Sequence, residues 1–176
     1  MKNIPATMRR NQIMDMISRS GTPISASSLA ASLNVSRQVI VGDVALLRAQ
    51  GNDIIATARG YMLPGKIEAN HKYIGKIACR HSPEKTKPEL YLIVDLGAVV
   101  VDVIIEHDIY GEITGSLNLA SRSDVDEFTR RVDSAEIKLL SELTMGTHLH
   151  TVACRDKAHF GQVVTAMEKG GYLYQN

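Results

Sequence analysis

The 176-residue sequence contains no tryptophan, only two cysteines and few aromatic residues, which make up 5% of the chain. It also lacks the run of about 18 apolar residues that a membrane-spanning helix needs. Cys79 and Cys154 are too far apart in sequence for a clustered metal-binding spacing, and we interpret both as small apolar residues. Residues 1–20 have no continuous apolar core and carry three arginines, so we expect no secretory signal. We therefore expect a cytoplasmic protein with no membrane partner.

The charge is unevenly distributed along a chain whose formal net charge is only +1. Residues 1–66 hold eight Lys or Arg against three Asp or Glu, whereas residues 67–176 hold twelve against sixteen. A basic segment joined to an acidic one is typical of a nucleic-acid-binding module attached to a non-binding module, although a charge of +5 also fits many other domains. The composition, 44% hydrophobic and 22% charged, excludes a disordered or fibrous chain.

Three helical patterns precede a hairpin pattern in the first part of the chain. Apolar spacing predicts helices over residues 6–18, 26–33 and 36–50, and two β-prone runs lie within residues 53–63. Ser25 and Ser36 are suited to be the N-caps of the second and third helices. Helix, turn, helix and hairpin in this order are typical of a winged helix-turn-helix domain, which we place at residues 1–65.

The third helix of such a domain enters the major groove of DNA, and its first exposed turn would present Ser36, Arg37 and Gln38. Arginine can bind guanine and glutamine can bind adenine in bidentate fashion. Arg59, at the tip of the hairpin, would contact phosphate. Each of these residues could also be an ordinary solvated surface residue, and the fold is also used for protein contacts. We nevertheless expect double-stranded operator DNA to be the partner.

The second part of the chain, residues 70–176, alternates strands and helices. The predicted strands cover residues 73–80, 99–107, 112–119, 147–154 and 172–174, and the predicted helices cover residues 84–96, 121–132 and 157–169. Pro88 must lie in a first turn, so the first of these helices could begin nearer Lys87. This order implies a mainly antiparallel sheet with helices on one face. We therefore predict an α+β protein, a winged helix-turn-helix followed by an α/β sandwich-like domain.

All six histidines lie in this second part. His148 and His150 are two residues apart on a predicted strand, so both imidazoles lie on the same face. His81 follows the first strand of the domain, and Glu89 comes eight residues later on the next helix. The four residues form a possible metal-ligand set that would suit zinc, nickel or ferrous iron. Alternatively, His148 and His150 are two exposed residues on a polar strand face.

His107 ends a predicted strand on the same face as Val101, Val103 and Ile105. Its ring should therefore point inward or toward a pocket. A core histidine paired with a carboxylate would explain this position as well as a binding role would. We retain His107 as the candidate for ligand binding.

Several segments together carry a family resemblance. Residues 9–63 look like the winged helix of many bacterial regulators, and residues 93–95, 102–103, 107–111, 121–125, 128 and 143–150 resemble the three-histidine (3H) domain. The combination is similar to the NiaR family of niacin-responsive repressors of NAD biosynthesis and niacin uptake. The resemblance implies a homodimeric repressor with nicotinic acid as co-repressor and a divalent transition metal in the 3H domain. By position, His81, Glu89, His148 and His150 match the family's metal ligands, and His107 is the remaining histidine of its motif.

An enzyme is the main alternative, because a metal held by three histidines and a carboxylate could activate water for hydrolysis. No Ser-His-Asp set, phosphate-binding loop or nucleophile elbow accompanies the histidines, and an attached DNA-binding domain favours sensing over catalysis. A repressor that senses the metal itself, or a biotin-type repressor without its ligase, is a second alternative. We therefore predict a transcription repressor and not an enzyme.

Overall fold

The computed structural model describes residues 5–64, 71–135 and 138–175. The chain folds as two compact units, residues 1–66 and 67–176. None of the helices within the described ranges is long and apolar enough to cross a membrane.

The first unit contains three helices followed by a two-stranded hairpin. Its elements are α1 (Ala6–Arg19), α2 (Ala26–Leu33), α3 (Arg37–Ala49), β1 (Ile55–Thr57) and β2 (Gly60–Met62). The side chain of Ser25 accepts a hydrogen bond from the Ser28 amide at 3.0 Å, and that of Ser36 accepts one from the Val39 amide at 3.3 Å. Both predicted N-caps are thus confirmed, because each hydroxyl satisfies an amide that has no partner within its helix.

An apolar core fixes the three helices against one another. Ile13 of α1, Leu29 of α2 and Ile40 of α3 are fully buried in it. Asp43 of α3 is also buried, and its Oδ2 accepts a hydrogen bond from the Nε of Arg9 in α1 at 2.5 Å. This packing buries one face of α3 and leaves its N-terminal turn exposed to solvent.

Over residues 71–135 and 138–175, the second unit is a four-stranded sheet with three α-helices. Its elements are β3 (Tyr73–Arg80), α4 (Thr86–Asp95), β4 (Val99–His107), β5 (Gly111–Leu119), α5 (Arg122–Ala135), β6 (Thr147–Cys154) and α6 (Lys157–Lys169). The strand order is β3-β6-β4-β5, and each neighbouring pair is antiparallel. The α+β fold class and the mainly antiparallel sheet are confirmed.

Three local predictions need correction. The predicted helix over 84–96 opens as a 3-10 turn at Pro83–Lys85 and becomes α-helical at Thr86. The predicted strand over 172–174 is a single bridge between Leu173 and Cys79, and among the described residues two backbone hydrogen bonds join this segment to β3. A 3-10 helix at Leu140–Thr144, before β6, was not predicted.

The strand register determines which side chains share a face with the helices. Cys79 of β3 is directly opposite His148 of β6, and Val103 of β4 is directly opposite His150. Alternate residues on a strand point to the same side, so His148 and His150 share one face of the sheet. Helix α4 packs on this face and buries Glu89 completely.

Candidate metal centre

Three histidine rings direct their Nε2 atoms at the carboxylate of Glu89. The Nε2 of His81 lies 2.7 Å from Glu89 Oε2, that of His150 lies 3.5 Å from the same oxygen, and that of His148 lies 3.5 Å from Oε1. All four side chains are at most 4% exposed. The structure therefore brings together the four residues that the sequence analysis grouped as metal ligands.

The other ring nitrogen of each histidine is hydrogen-bonded to a backbone carbonyl. The Nδ1 atoms of His81, His148 and His150 lie 2.9, 2.9 and 2.7 Å from the carbonyl oxygens of Ser82, Gly146 and Asp102. A carbonyl oxygen only accepts, so each Nδ1 carries the proton and each neutral ring has its lone pair on Nε2. When the three rings are neutral, three lone pairs therefore face a carboxylate that can itself only accept.

This arrangement leaves buried acceptors in need of a cation. Within the described residues, both carboxylate oxygens of Glu89 and the Nε2 of His81 are buried without a hydrogen bond of normal geometry. Burial by itself lowers the pKa of His81 and of His150, but the Glu89 carboxylate outweighs it and raises both above the ordinary value. Burial likewise raises the pKa of Glu89, yet the three histidines bring it well below its usual range. The cluster thus favours bound positive charge, as a proton or as a metal ion.

The donor set fits a divalent transition metal. Two ligand atoms that each lie about 2.1 Å from a shared tetrahedral ion are separated by roughly 3.4 Å, close to the 3.5 Å between Glu89 and both His148 and His150. Metal-binding histidines commonly donate their second N–H to a carbonyl, which fixes the tautomer and the ring orientation. Zinc, nickel and ferrous iron all accept imidazole and carboxylate ligands.

Cys79 lies beside this cluster, a position that the sequence analysis missed because it interpreted Cys79 as a small apolar residue. Its Sγ, a carboxylate oxygen of Glu89 and a ring nitrogen of His148 lie within 4.8 Å of one another. Burial and the nearby Glu89 raise the pKa of this thiol, so without a metal it is protonated. The Cys-x-His spacing of Cys79 and His81 was the available signal, because it places both residues on the side of the sheet that holds His148.

A narrow cavity of about 30 Å³ adjoins the cluster, and His148 and His150 form part of its wall. The remaining wall is mostly apolar and includes Leu90, Val103, Leu117, Phe128, Leu139 and Leu140. Thr86 and Ser141 contribute hydroxyl groups. Within the described part of the chain, the Thr86 Oγ1 is buried without a hydrogen-bond partner. The cavity thus combines an apolar wall, two hydroxyls and the candidate metal centre.

His107 lies apart from this cluster. It pairs with Gly111 at the end of the β4–β5 hairpin. It is four residues beyond Val103, which corresponds to about 13 Å along the strand. Its Nδ1 accepts a hydrogen bond from the Ile109 amide, and its ring lies 5.2 Å from that of the exposed Tyr110.

In the first unit, the candidate DNA-binding residues lie at two places. Ser36, Arg37 and Gln38 are exposed at the start of α3, where the Ser36 hydroxyl serves as the N-cap. Arg59 lies in the turn between β1 and β2, where its backbone amide donates to the Thr57 hydroxyl at 3.2 Å. Its side chain is only partly exposed.

A helix-turn-helix unit with a hairpin, joined to a sheet with a buried histidine–glutamate centre, defines a two-domain DNA-binding regulator. The HTH domain family matches residues 9–62 and the 3H domain family matches residues 74–176. The chain is 40% identical to the transcription repressor NadR of Bacillus subtilis over 96% of its own length and 94% of that protein's length. It is 38% identical to the probable transcription repressor NiaR of Thermotoga maritima, over 95% and 94% of the two chains. The chain therefore belongs to the NadR/NiaR family of transcription repressors.

Membership of this family confirms the prediction of a transcription repressor. Both relatives are named as repressors and not as enzymes. The hydrolase alternative is therefore not supported.

Proposed function

We propose that this repressor controls genes of NAD biosynthesis or niacin uptake, with nicotinic acid as its co-repressor. In this proposal residues 1–65 bind operator DNA, and residues 70–176 hold a divalent transition metal and the effector. The protein acts in the cytoplasm, where it binds chromosomal DNA. It acts as a homodimer, because two recognition helices are needed to read two half-sites one helical turn apart.

The observation that carries the proposal is the cavity beside the three histidines. Nicotinate is a flat anion with a pyridine nitrogen, and the apolar wall of the cavity suits its ring. The hydroxyls of Thr86 and Ser141 can donate hydrogen bonds to its carboxylate. A metal ion held by His81, Glu89, His148 and His150 would supply a Lewis acid for the anion or for the pyridine nitrogen.

The size of the cavity suggests how effector binding is coupled to DNA binding. Its volume of about 30 Å³ has room for little more than one water molecule, so nicotinate can enter only if the wall moves. The 3-10 helix at Leu140–Thr144 supplies Leu140 and Ser141 to that wall and is the short element best placed to move. A ligand shifts a protein only through its different affinity for two states. We propose that the ligand-filled state is the one whose dimer geometry fits the operator.

The test of the site is calorimetric titration of metal-loaded full-length protein with nicotinic acid, together with measurement of metal content. His148→Ala should lose both metal and nicotinate binding. His107→Ala should keep the metal, and a loss of nicotinate affinity alone would assign His107 to the effector site. If His148→Ala left metal content and nicotinate affinity unchanged, the proposal would be wrong.

A repressor that senses the metal itself is the second candidate. The observation in its favour is that three histidines and Glu89 can complete a tetrahedral site without an organic ligand. Under this alternative, operator affinity would follow metal loading in the absence of nicotinic acid.

A further inference from the structure

The Cys79 side chain is buried beside the histidine–glutamate cluster. It is fully buried, and it lies directly across from His148 in the β3–β6 register. Its thiol makes a weak hydrogen bond of 3.8 Å to the carbonyl of Ile77 on its own strand. The sulfur also lies close to ligand atoms of Glu89 and His148.

We infer that Cys79 is a sulfur ligand of the metal centre, which makes the site selective for thiophilic ions over hard ions such as magnesium or manganese. The inference rests on the proposed metal centre and adds a residue to it. The sulfur lies within 4.8 Å of both a Glu89 oxygen and a His148 nitrogen. This range includes the separation of roughly 3.6 Å between a sulfur and a nitrogen that share one tetrahedral ion. When the ion binds, a sulfur–metal bond forms and the thiol proton passes to solvent.

The carboxylate of Glu89 provides the second, independent observation. Glu89 is fully buried, and within the described residues neither of its oxygens has a hydrogen bond of normal geometry. A buried carboxylate beside a thiolate is unfavourable, because like charges repel. A cation among the sulfur, the carboxylate and the imidazole removes this conflict.

Sulfur coordination changes which ions the site can hold. Thiolate ligands favour zinc, cobalt, nickel and iron, whereas magnesium and manganese prefer oxygen ligands. A site of histidine and carboxylate alone discriminates less strongly between these groups. The Cys79 ligand would therefore keep the more abundant hard ions out of the centre.

The test is the absorption spectrum of full-length protein loaded with cobalt(II). Visible d–d bands report cobalt bound by the cluster, and a near-ultraviolet band arises only if a thiolate is bound to the ion. We expect both features in the wild type, loss of the near-ultraviolet band in Cys79→Ser, and its retention in Cys154→Ser. Cys154 is the matched control because it is also fully buried, and it lies at the opposite end of β6.

Each outcome separates this inference from the proposal on which it rests. Visible bands without the near-ultraviolet band in the wild type would overturn sulfur ligation and leave the histidine–glutamate centre in place. Failure to bind cobalt at all would overturn both. If Cys79→Ser does not fold, zinc-edge X-ray absorption of the wild type decides, because a sulfur neighbour at about 2.3 Å is distinct from nitrogen and oxygen neighbours.

Discussion

A Cβ atom on Gly146 would lie 2.1 Å from the carbonyl oxygen of His81. Gly146 also has a φ of +86°, in the left-handed region that side chains rarely adopt. Its carbonyl accepts hydrogen bonds from the His148 Nδ1 and from the His81 amide. Gly146 therefore allows the chain before β6 to approach His81 closely. Its carbonyl thereby links His81 and His148, two of the three histidines of the cluster.

Gly146→Ala should consequently destabilise the second unit and its metal centre together. We expect a loss of at least about 2 kcal/mol in the free energy of unfolding, from backbone strain and the contact with His81, and a parallel loss of metal affinity. Urea unfolding and zinc titration measure the two effects. Gly111→Ala is the matched control, because Gly111 also has a positive φ, +69°, but a Cβ there meets nothing within 4 Å. Equal effects of the two variants would refute the role of the His81 contact.

The histidine–glutamate cluster predicts opposite pH dependences for metal-free and metal-loaded protein. The Glu89 carboxylate outweighs burial and raises the pKa of His81 and His150 above 6.5, so their contribution to stability is present below 6.5 and is lost as the pH rises through the folded values. Glu89, whose pKa is lowered from 4.5, contributes stability above 4.5 that is lost as the pH falls through its folded value. Metal-free protein should therefore become less stable above pH 6.5.

Metal affinity should instead increase over the same pH range, because the ligands must lose their protons before they bind the ion. Thermal unfolding between pH 5 and 8, roughly the range in which histidine titrates, with and without zinc, tests the pair of trends. In Glu89→Gln the carboxylate that raises both histidine pKa values is absent. The loss of stability of the metal-free protein above pH 6.5 should therefore disappear. A decline of equal size in Glu89→Gln would contradict this explanation.

The buried ion pair between Arg9 and Asp43 should matter for the stability of the first unit. Asp43 is 4% exposed, so Asp43→Ala removes the carboxylate that neutralises a largely buried guanidinium. We expect a loss of about 3 kcal/mol in the free energy of unfolding. The exposed pair Arg19–Asp15 provides the control, since Asp15→Ala should cost less than about 1 kcal/mol. Similar losses in both variants would show that burial of the Arg9–Asp43 pair is unimportant.

Arg37 should contribute to operator recognition through the exposed turn of α3. If its guanidinium binds a base edge, Arg37→Ala should weaken operator binding by roughly 10- to 100-fold and relax the preference for one sequence. Arg19→Ala, an exposed charge on α1, should change neither. The affinities of both variants for operator and for unrelated DNA are measured at one salt concentration. An unchanged preference for operator over unrelated DNA in Arg37→Ala would show that Arg37 does not recognise a base.

Arg59 should behave differently, because a phosphate contact carries no sequence information. Arg59→Ala should weaken binding to operator and to unrelated DNA alike. The slope of log affinity against log salt concentration should become shallower by about one, because one phosphate contact is lost. If the salt dependence is unchanged, the partly exposed Arg59 side chain does not contact DNA.

Much of the fold could be predicted because local signals agree with the tertiary structure. Ser25 and Ser36 mark helix starts through their own side-chain hydrogen bonds, and the strand Thr147–Cys154 alternates as a strand with one covered face should. The 3-10 helix at Leu140–Thr144 could not be predicted, because its residues have no periodic pattern and it packs against β4, which is distant in sequence.

The candidate site could be predicted only in part. The spacing of His148 and His150 follows from strand geometry alone, whereas their approach to Glu89 depends on how α4 packs on the sheet. The Cys-x-His spacing indicates only that Cys79 and His81 share a face of the sheet. The position of Cys79 across from His148 depends on the β3–β6 register, which local sequence does not determine. The end of β4 at His107 was predicted correctly, but the distance of His107 from the cluster depends on how β4 pairs with β6.

The most direct test of the proposed function is operator binding by fluorescence anisotropy, with metal-loaded protein at fixed salt. Nicotinic acid is titrated into the complex, and nicotinamide, which has no carboxylate, is the control. We expect operator binding to tighten with nicotinic acid and to remain unchanged with nicotinamide. An operator affinity that does not change with nicotinic acid would contradict the co-repressor role. An operator affinity that depends on metal loading alone would identify the metal as the signal.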